Sequence, residues 1–237
     1  MTDEKNYLSL RCLFEKTGPV RFISHLDLTR AFHRAFSRAG IPLKFSEGFS
    51  PHPKFSLALP LSVGTESVTE AADFTLKEGF LIEPEDLHRA LQECLPAGIR
   101  ILRIEEQGEK FSQIAYASYR IFLPRGEKDL IPALREAAAQ PLVLEKKNKK
   151  GKWVEKEISG GIHSLSVSEK DGGLLLEGVF SAAGENYLKP EAVLEGLCRK
   201  VPPFDISEKR ILRTGLFRED LTPFFPDPEN EKKDHDQ

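Results

Sequence analysis

Cysteine is scarce: Cys12, Cys94 and Cys198 stand alone among 237 residues. Isolated thiols supply no disulfide framework, zinc knuckle or iron–sulfur cluster, since each needs clustered cysteines. We read all three as small, buried apolar side chains in a reducing compartment. Long apolar runs are missing as well. No stretch approaches the roughly 18 residues that signal a membrane helix, so no membrane contact is expected. The opening MTDEKNYLSL is too polar for a secretory signal, and a cytoplasmic protein is expected. The patterns GxxxxGK(S/T), GxGxxG, HExxH and GxSxG do not occur. Nucleotide hydrolysis, dinucleotide binding, zinc proteolysis and serine-hydrolase chemistry therefore lack support. No cofactor and no metal is expected.

What is present is an uneven charge. The net charge is −3, yet Arg11–Lys54 holds eight basic and three acidic residues, and Phe55–Gln107 holds four and ten. A mildly acidic chain can thus keep one basic surface for an anionic partner.

Hydrophobic residues make up 40% of the chain, enough for packed cores. Tyr7–Phe14 alternates as a strand, Gly18-Pro19 interrupts it, and Val20–Ile23 resumes an extended run. Ser24 followed by Asp27 predicts a capped helix start. Leu28, Phe32, Ala35, Phe36 and Ala39 then form one apolar face, and Gly40 ends the helix. Pro42–Phe45, Lys54–Leu59, Ala71–Leu76 and Ile99–Glu105 read as strands, and Glu83–Leu95 as a helix behind Pro84. This β-α-β-β-(β)-α-β order predicts a ferredoxin-like half with an embellished centre. The order recurs. Strands are predicted over Gln113–Leu123, Leu142–Leu144, Trp153–Ile158, Ile162–Ser168, Leu174–Phe180 and Ile206–Phe217, and helices over Lys128–Ala139 and Lys189–Arg199. The prediction is an α+β protein of two ferredoxin-like βαββαβ halves with extra hairpins. Its expected parts are 1–110, 111–218 and an acidic, Pro-rich tail, 219–237, expected to be disordered. Phe224 and Phe225 are candidates for docking onto the body before order is lost. The Lys146–Lys152 turn is read as a solvated hairpin tip.

The segment Lys16–Pro60 is densest in chemistry. Arg30, Arg34 and Arg38 are four apart and form one stripe of the first helix, either a solvated face or a phosphate-binding ridge. Lys16 and Arg21 precede the stripe, and Lys44 and Lys54 follow it. His25 lies in the first helical turn beside Ser24 and Asp27. It is a candidate general base, ligand donor or metal ligand, or a structural residue of the turn. The loop Ser46–Lys54 sets His52 between Pro51 and Pro53, which restrict the backbone on both sides. Gly48 permits a positive φ there, and Phe49 can stack on a base or plug the core. The helix start and this loop are expected to build one surface. Arg210 and Arg213-Thr214 of the last strand are weaker candidates for the same anion surface.

The run Lys16-x-Gly18-x-x-Arg21-Phe22-Ile23-Ser24-His25-Leu26-Asp27-Leu28-x-Arg30, then Arg34-Ala35, Gly40-Ile41-Pro42, Gly48-Phe49-x-Pro51-His52-Pro53-Lys54 and Leu59-Pro60-Leu61, resembles the radical-SAM-linked proteins. These are a bacterial domain of unknown function, found alone or fused behind a radical SAM domain. The resemblance is strong over 7–70 and extends to about Phe217. It implies a radical SAM protein as partner and suggests a link to RNA. The chain has no CxxxCxxC, so it would be the partner subunit of the enzyme and not the enzyme itself. Tandem ferredoxin-like halves with a basic first helix are also similar to repeat-associated RNA-binding proteins of CRISPR systems, at the level of fold alone.

Three functions are weighed. The first is a non-catalytic accessory protein that binds or presents RNA, with Lys16, Arg21, Arg30, Arg34 and Lys54 on phosphates and Phe49 on a base. Ser24, His25, Asp27, Gly48 and His52 complete its expected binding set. The second is a metal-independent endoribonuclease with His25 or His52 as general base. The third is a protein-interaction adaptor for a radical SAM partner.

Overall fold

The computed structural model describes residues 8–225, apart from 126, 148–150, 202, 203 and 205. It is an α+β structure that divides into two compact units, residues 1–111 and 112–237.

In the first unit the order is β1 (Ser9–Lys16), α1 (His25–Arg38), β2 (Phe55–Leu57), β3 (Thr65–Thr75), α2 (Pro84–Cys94) and β4 (Ile99–Glu106). The strands run β4-β1-β3, with β2 on β3, and every pairing is antiparallel. That is the βαββαβ order and the pairing of a split βαβ unit. Alternation along the strands decides which face the helices cover. Leu10, Cys12 and Phe14 of β1 and Ala72 and Phe74 of β3 meet Leu28, Phe32, Ala35 and Phe36 of α1 and Leu87 and Leu91 of α2. Aromatic rings lock this layer, with Phe14–Phe32 centroids 4.9 Å apart and Phe36–Phe74 4.8 Å apart. Gln92 of α2 clips β4 in place, donating to the Ile99 carbonyl and accepting from the Ile101 amide.

The expected face of α1 is the buried one, and the expected cap is formed. The Ser24 hydroxyl accepts from the Asp27 amide at 3.1 Å, and Gly40 follows the Ala39 C-cap with φ +69°. Other boundaries differ from expectation. Val20–Ile23 is not extended: Gly18–Phe22 forms a 3-10 turn, with Pro19 supplying the φ its first turn needs. Pro42–Phe45 is no strand but two isolated bridges, Leu43 to Leu76 and Phe45 to Pro53, because prolines interrupt its hydrogen bonding. β2 shrinks to three residues, and β3 begins at Thr65, six residues before its expected start at Ala71.

The second unit repeats the order. It contains β5 (Tyr116–Leu123), α3 (Ile131–Ala138), β6 (Val143–Lys147), β7 (Trp153–Glu157), β8 (Ile162–Lys170), β9 (Gly173–Ser181), α4 (Pro190–Cys198) and β10 (Arg210–Phe217). Its strands run β10-β5-β9-β8, again all antiparallel, and β6–β7 is an inserted hairpin. Leu134 and Ala137 of α3 and Val193, Leu194 and Leu197 of α4 are buried. β5 is preceded by a 3-10 turn over Phe111–Gln113, and β10 starts only at Arg210. Lys147, Gly151 and Lys152 of the hairpin turn are exposed, and 148–150 lie outside the described residues.

Residues 219–225 correct the expected tail boundary. They fold back on β10, with the Phe224 amide donating to the Leu216 carbonyl at 2.8 Å and the Phe224 ring buried under Arg218. An apolar ring this buried holds its segment in place. The remainder of the expected tail, 226–237, lies outside the described residues. Among the described residues no helix is long and apolar enough to cross a membrane.

Candidate functional site

The residues expected to share one surface lie at two ends of the first unit. β1 ends at Lys16, opposite Ser67 and Ile99, and the Gly64 amide donates to the Arg21 carbonyl at that same end. Arg21, Ser24, His25, Asp27 and Arg30 therefore belong to this first end. The 46–54 loop belongs to the other. There the Thr75 amide donates to the Lys54 carbonyl, the Lys54 amide to the Lys44 carbonyl, and Ser9 faces Thr75. Seven steps of about 3.3 Å along β1 separate the ends, and α1 spans a similar roughly 20 Å between them. A helix returning antiparallel over its own strand starts at one end of the sheet and delivers the following loop to the other. The expectation of a single surface is corrected on this ground.

At the helix-start end the basic groups are largely engaged. Lys16 is only 2% exposed, and its Nζ donates to the carbonyls of Arg21 and Thr65 at 3.1 and 3.3 Å. It is a structural cation, not a surface phosphate ligand. Arg21 approaches Glu66 at 3.7 Å and lies over the Phe22 ring. Arg30 pairs with Asp27 at 3.1 Å, and Asp27 also accepts from the Ser24 hydroxyl at 2.7 Å. These contacts, the Ser24 hydroxyl first and Arg30 next, hold the Asp27 carboxyl below its ordinary pKa. His25 is exposed. Further along the stripe, Arg38 donates to the Cys94 carbonyl. Arg34 is exposed and has no protein partner among the described residues.

At the loop end the chain builds a pinched, rigid display. Ser46 and His52 close its base. The Ser46 amide donates to the His52 carbonyl at 2.8 Å, the His52 amide donates to Ser46 Oγ at 3.1 Å, and Ser46 Oγ meets His52 Nδ1 at 2.9 Å. Gly48 takes φ +124°, a backbone that side-chain-bearing residues rarely adopt. Phe49 stands at the apex with a relative exposure of 112%, wholly in solvent. It plugs no core. Lys54 is exposed and forms no ion pair among the described residues.

Beside this loop lies a cavity of about 250 Å³. Its floor is the sheet face turned away from the helices. Ser56 of β2 pairs with Asp73 of β3, which pairs with Arg11 of β1, which pairs with Glu105 of β4, so one polar row crosses four strands. Asp73 grips Arg11 through both oxygens, at 2.7 Å to Nε and 2.9 Å to Nη2, and Gln107 Nε2 donates to Asp73 Oδ2 at 2.8 Å. Arg11 also donates to the Glu109 carbonyl at 2.7 Å and lies 4.4 Å from the Phe111 ring centroid. Arg11 and Asp73 are 3% and 6% exposed. A bidentate, desolvated ion pair beneath a polar cavity is a weak source of stability, but it fixes the orientation of both side chains. Sequence reasoning did not single out Arg11, Asp73, Ser56 or Gln107. The available signal was Arg11 and Asp73 each standing between apolar neighbours, Leu10 and Cys12 in one strand and Ala72 and Phe74 in the other.

Other expected groups fall elsewhere. Arg213 is fully buried and so is no exposed anion ligand, and the Thr214 hydroxyl bonds Ser118 at 2.8 Å. Cys12 is buried, which raises its thiol pKa well above the ordinary range, whereas Cys94 and Cys198 are half-buried rather than fully enclosed. Among the described residues no three His, Cys, Asp or Glu side chains come together as a metal site.

Residues 9–190 match a family described as uncharacterized proteins conserved in bacteria (DUF2344). No curated protein matches the chain. Among solved structures, an unknown protein from Galdieria sulphuraria is similar over 81% of this chain and 91% of its own, at 11% identity and a TM-score of 0.27. The family match spans well over half of the sequence, and the chain belongs to that bacterial family.

Proposed function

We propose that this chain is a non-catalytic RNA-binding accessory protein and that its RNA contact is the 46–54 loop, not the start of α1. The observation that carries this reading is Phe49, an aromatic ring held fully in solvent on a loop whose base is closed by three Ser46–His52 hydrogen bonds. A ring carried on a restrained backbone gives up only its side-chain rotamer freedom on binding, and a base can stack on either of its faces. Lys54, five residues on and without an ion pair among the described residues, supplies a cation for the adjoining phosphate. The resemblance to the radical-SAM-linked proteins supports a radical SAM enzyme as the partner to which RNA is presented. An endoribonuclease gains no comparable support. That alternative has His25 or His52 acting singly as general base, and because the two belong to opposite ends of the unit only one of them could serve a given scissile bond.

The test is fluorescence anisotropy with labelled single-stranded RNA over a salt series. Binding should weaken with salt, and Phe49→Ala should weaken it about tenfold or more, as expected for loss of one stacked base. RNA affinity unchanged by Phe49→Ala overturns the reading. Loss of radical SAM co-purification in that variant, with RNA affinity intact, assigns the loop to a protein contact instead.

A further inference from the structure

We infer that the cavity beside the loop is a one-nucleotide pocket that takes a base with the amino group of cytosine N4 or adenine N6. The inference rests on the RNA reading in taking the ligand to be a nucleotide, and it adds which bases are accepted.

Size comes first. At about 250 Å³ the cavity lies just below the range of about 300–1,000 Å³ typical of drug-sized ligand sites. One base with its sugar suits it, and a dinucleotide does not.

Chemistry comes second. Phe55 and Phe74 line the cavity only with backbone, since their rings pack toward Phe32 and Phe36 on the helix side. The side chains facing it come from two cross-strand rows. One row holds Ser56 and Asp73. The other holds Lys54, Thr75 and Gln107.

Acceptor capacity remains in these rows. A carboxylate offers about four lone-pair sites, and Asp73 uses three of them on Arg11 and Gln107. Gln107 donates through Nε2 and keeps Oε1, and Ser56 Oγ has no protein partner among the described residues. The Asp73 carboxylate is pinned by Arg11, which leaves it no freedom to turn away. A base amino group donates to such acceptors. A carbonyl set against Asp73 meets a carboxylate and is disfavoured at that position, its donors being limited to the Ser56 and Thr75 hydroxyls and the second Gln107 Nε2 proton.

Charge comes third. Lys54 and His52 stand on the loop side of the cavity, with His52 Nδ1 held by Ser46. A phosphate there meets the Lys54 ammonium. The pocket therefore favours cytidine and adenosine nucleotides over uridine and inosine nucleotides. These differ at the amino position, where cytosine and adenine carry a donor and uracil and hypoxanthine carry a carbonyl.

The experiment titrates the full-length protein with CMP, AMP, UMP and IMP, read by calorimetry and by backbone amide shifts. CMP and AMP should bind at least about tenfold tighter than UMP and IMP, with shifts at residues 52–56, 73–75 and 107. Asp73→Asn risks unfolding by unbalancing Arg11. Gln107→Leu, at an exposed position, is therefore the second variant: it removes one donor to Asp73 but keeps the Arg11–Asp73 pair, so the protein should stay folded, by its amide-shift pattern outside the cavity, while CMP weakens several-fold. Equal affinity for the four nucleotides, or shifts confined to other residues, overturns the pocket. Phe49→Ala separates the two readings. If RNA binds through Phe49 with no base preference, the pocket falls and the RNA reading stands. If CMP and AMP bind the cavity while RNA does not bind, the RNA reading falls and the pocket is a site for free nucleotides.

Discussion

The two ends of the first unit carry similar residues to opposite effect. At the start of α1 the cations are drawn inward or sideways. Lys16 is buried on two carbonyls, Arg21 leans on Glu66, and Arg30 on Asp27. At the loop end an aromatic ring and a lysine are left to solvent, and a buried ion pair underlies the hollow beside them. A count of basic residues thus overstates the first end and understates the second. What separates them is whether the side chain's hydrogen-bonding capacity is already used by the fold.

The largest effect should come from breaking the network under the loop end. Asp73→Ala leaves Arg11 buried and unpaired, and removal of one partner of such a pair costs about 3–5 kcal/mol. Urea denaturation reads this directly, and a cost below about 1 kcal/mol would place the pair among ordinary surface bridges.

Next in size is the contrast in RNA affinity. Phe49→Ala should lose about 1–3 kcal/mol of binding with stability unchanged. The double change Arg30→Ala and Arg34→Ala should lose less, since Arg30 is already paired. The reverse order would return the binding surface to the helix start.

A third, smaller effect sharpens the structural role of that end. Ser24→Ala removes the cap and should cost about 1 kcal/mol in chemical denaturation, with no change in RNA affinity.

The smallest probes α1 between the two ends. His33 packs edge-on against Phe55 at 5.3 Å, its Nε2 is buried without a partner among the described residues, and burial lowers its pKa from 6.5. The folded value lies below the unfolded one, so the unfolded chain takes up the proton first. His33 therefore costs no stability above about pH 6.5, and stability declines as pH falls below that value. Unfolding at about pH 7.5 and about pH 5.5 should differ less in His33→Leu than in the parent. An equal difference in both proteins would clear His33 of the effect.

Much of the fold was legible because local rules and tertiary packing agree. The α1 face from Leu28 to Ala39, its Ser24 cap and its Gly40 stop obey helix periodicity and capping, and these are the observed boundaries. The start of β3 was not legible. Thr65, Ser67 and Glu70 are polar yet buried, so period and polarity pointed to a loop. The loop Ser46–Lys54 was legible as a rigid presenter, since Pro51, Pro53 and Gly48 restrict it by covalent geometry. The cavity floor was not, because Ser56, Asp73, Arg11 and Gln107 are far apart in sequence and meet only through strand pairing.

The sequence by itself determined the α+β element order, the capped amphipathic helix and the stiff, proline-bounded loop. Each follows from dihedral restriction, capping or apolar period within a few neighbouring residues. Only the tertiary structure decided which charges remain available and which end of the sheet holds them. Register sets Asp73 against Arg11 and Ser56, and the crossover of α1 carries His25 and His52 to opposite ends of one strand. Pairing across strands is a long-range choice made by core burial, and no local pattern encodes it.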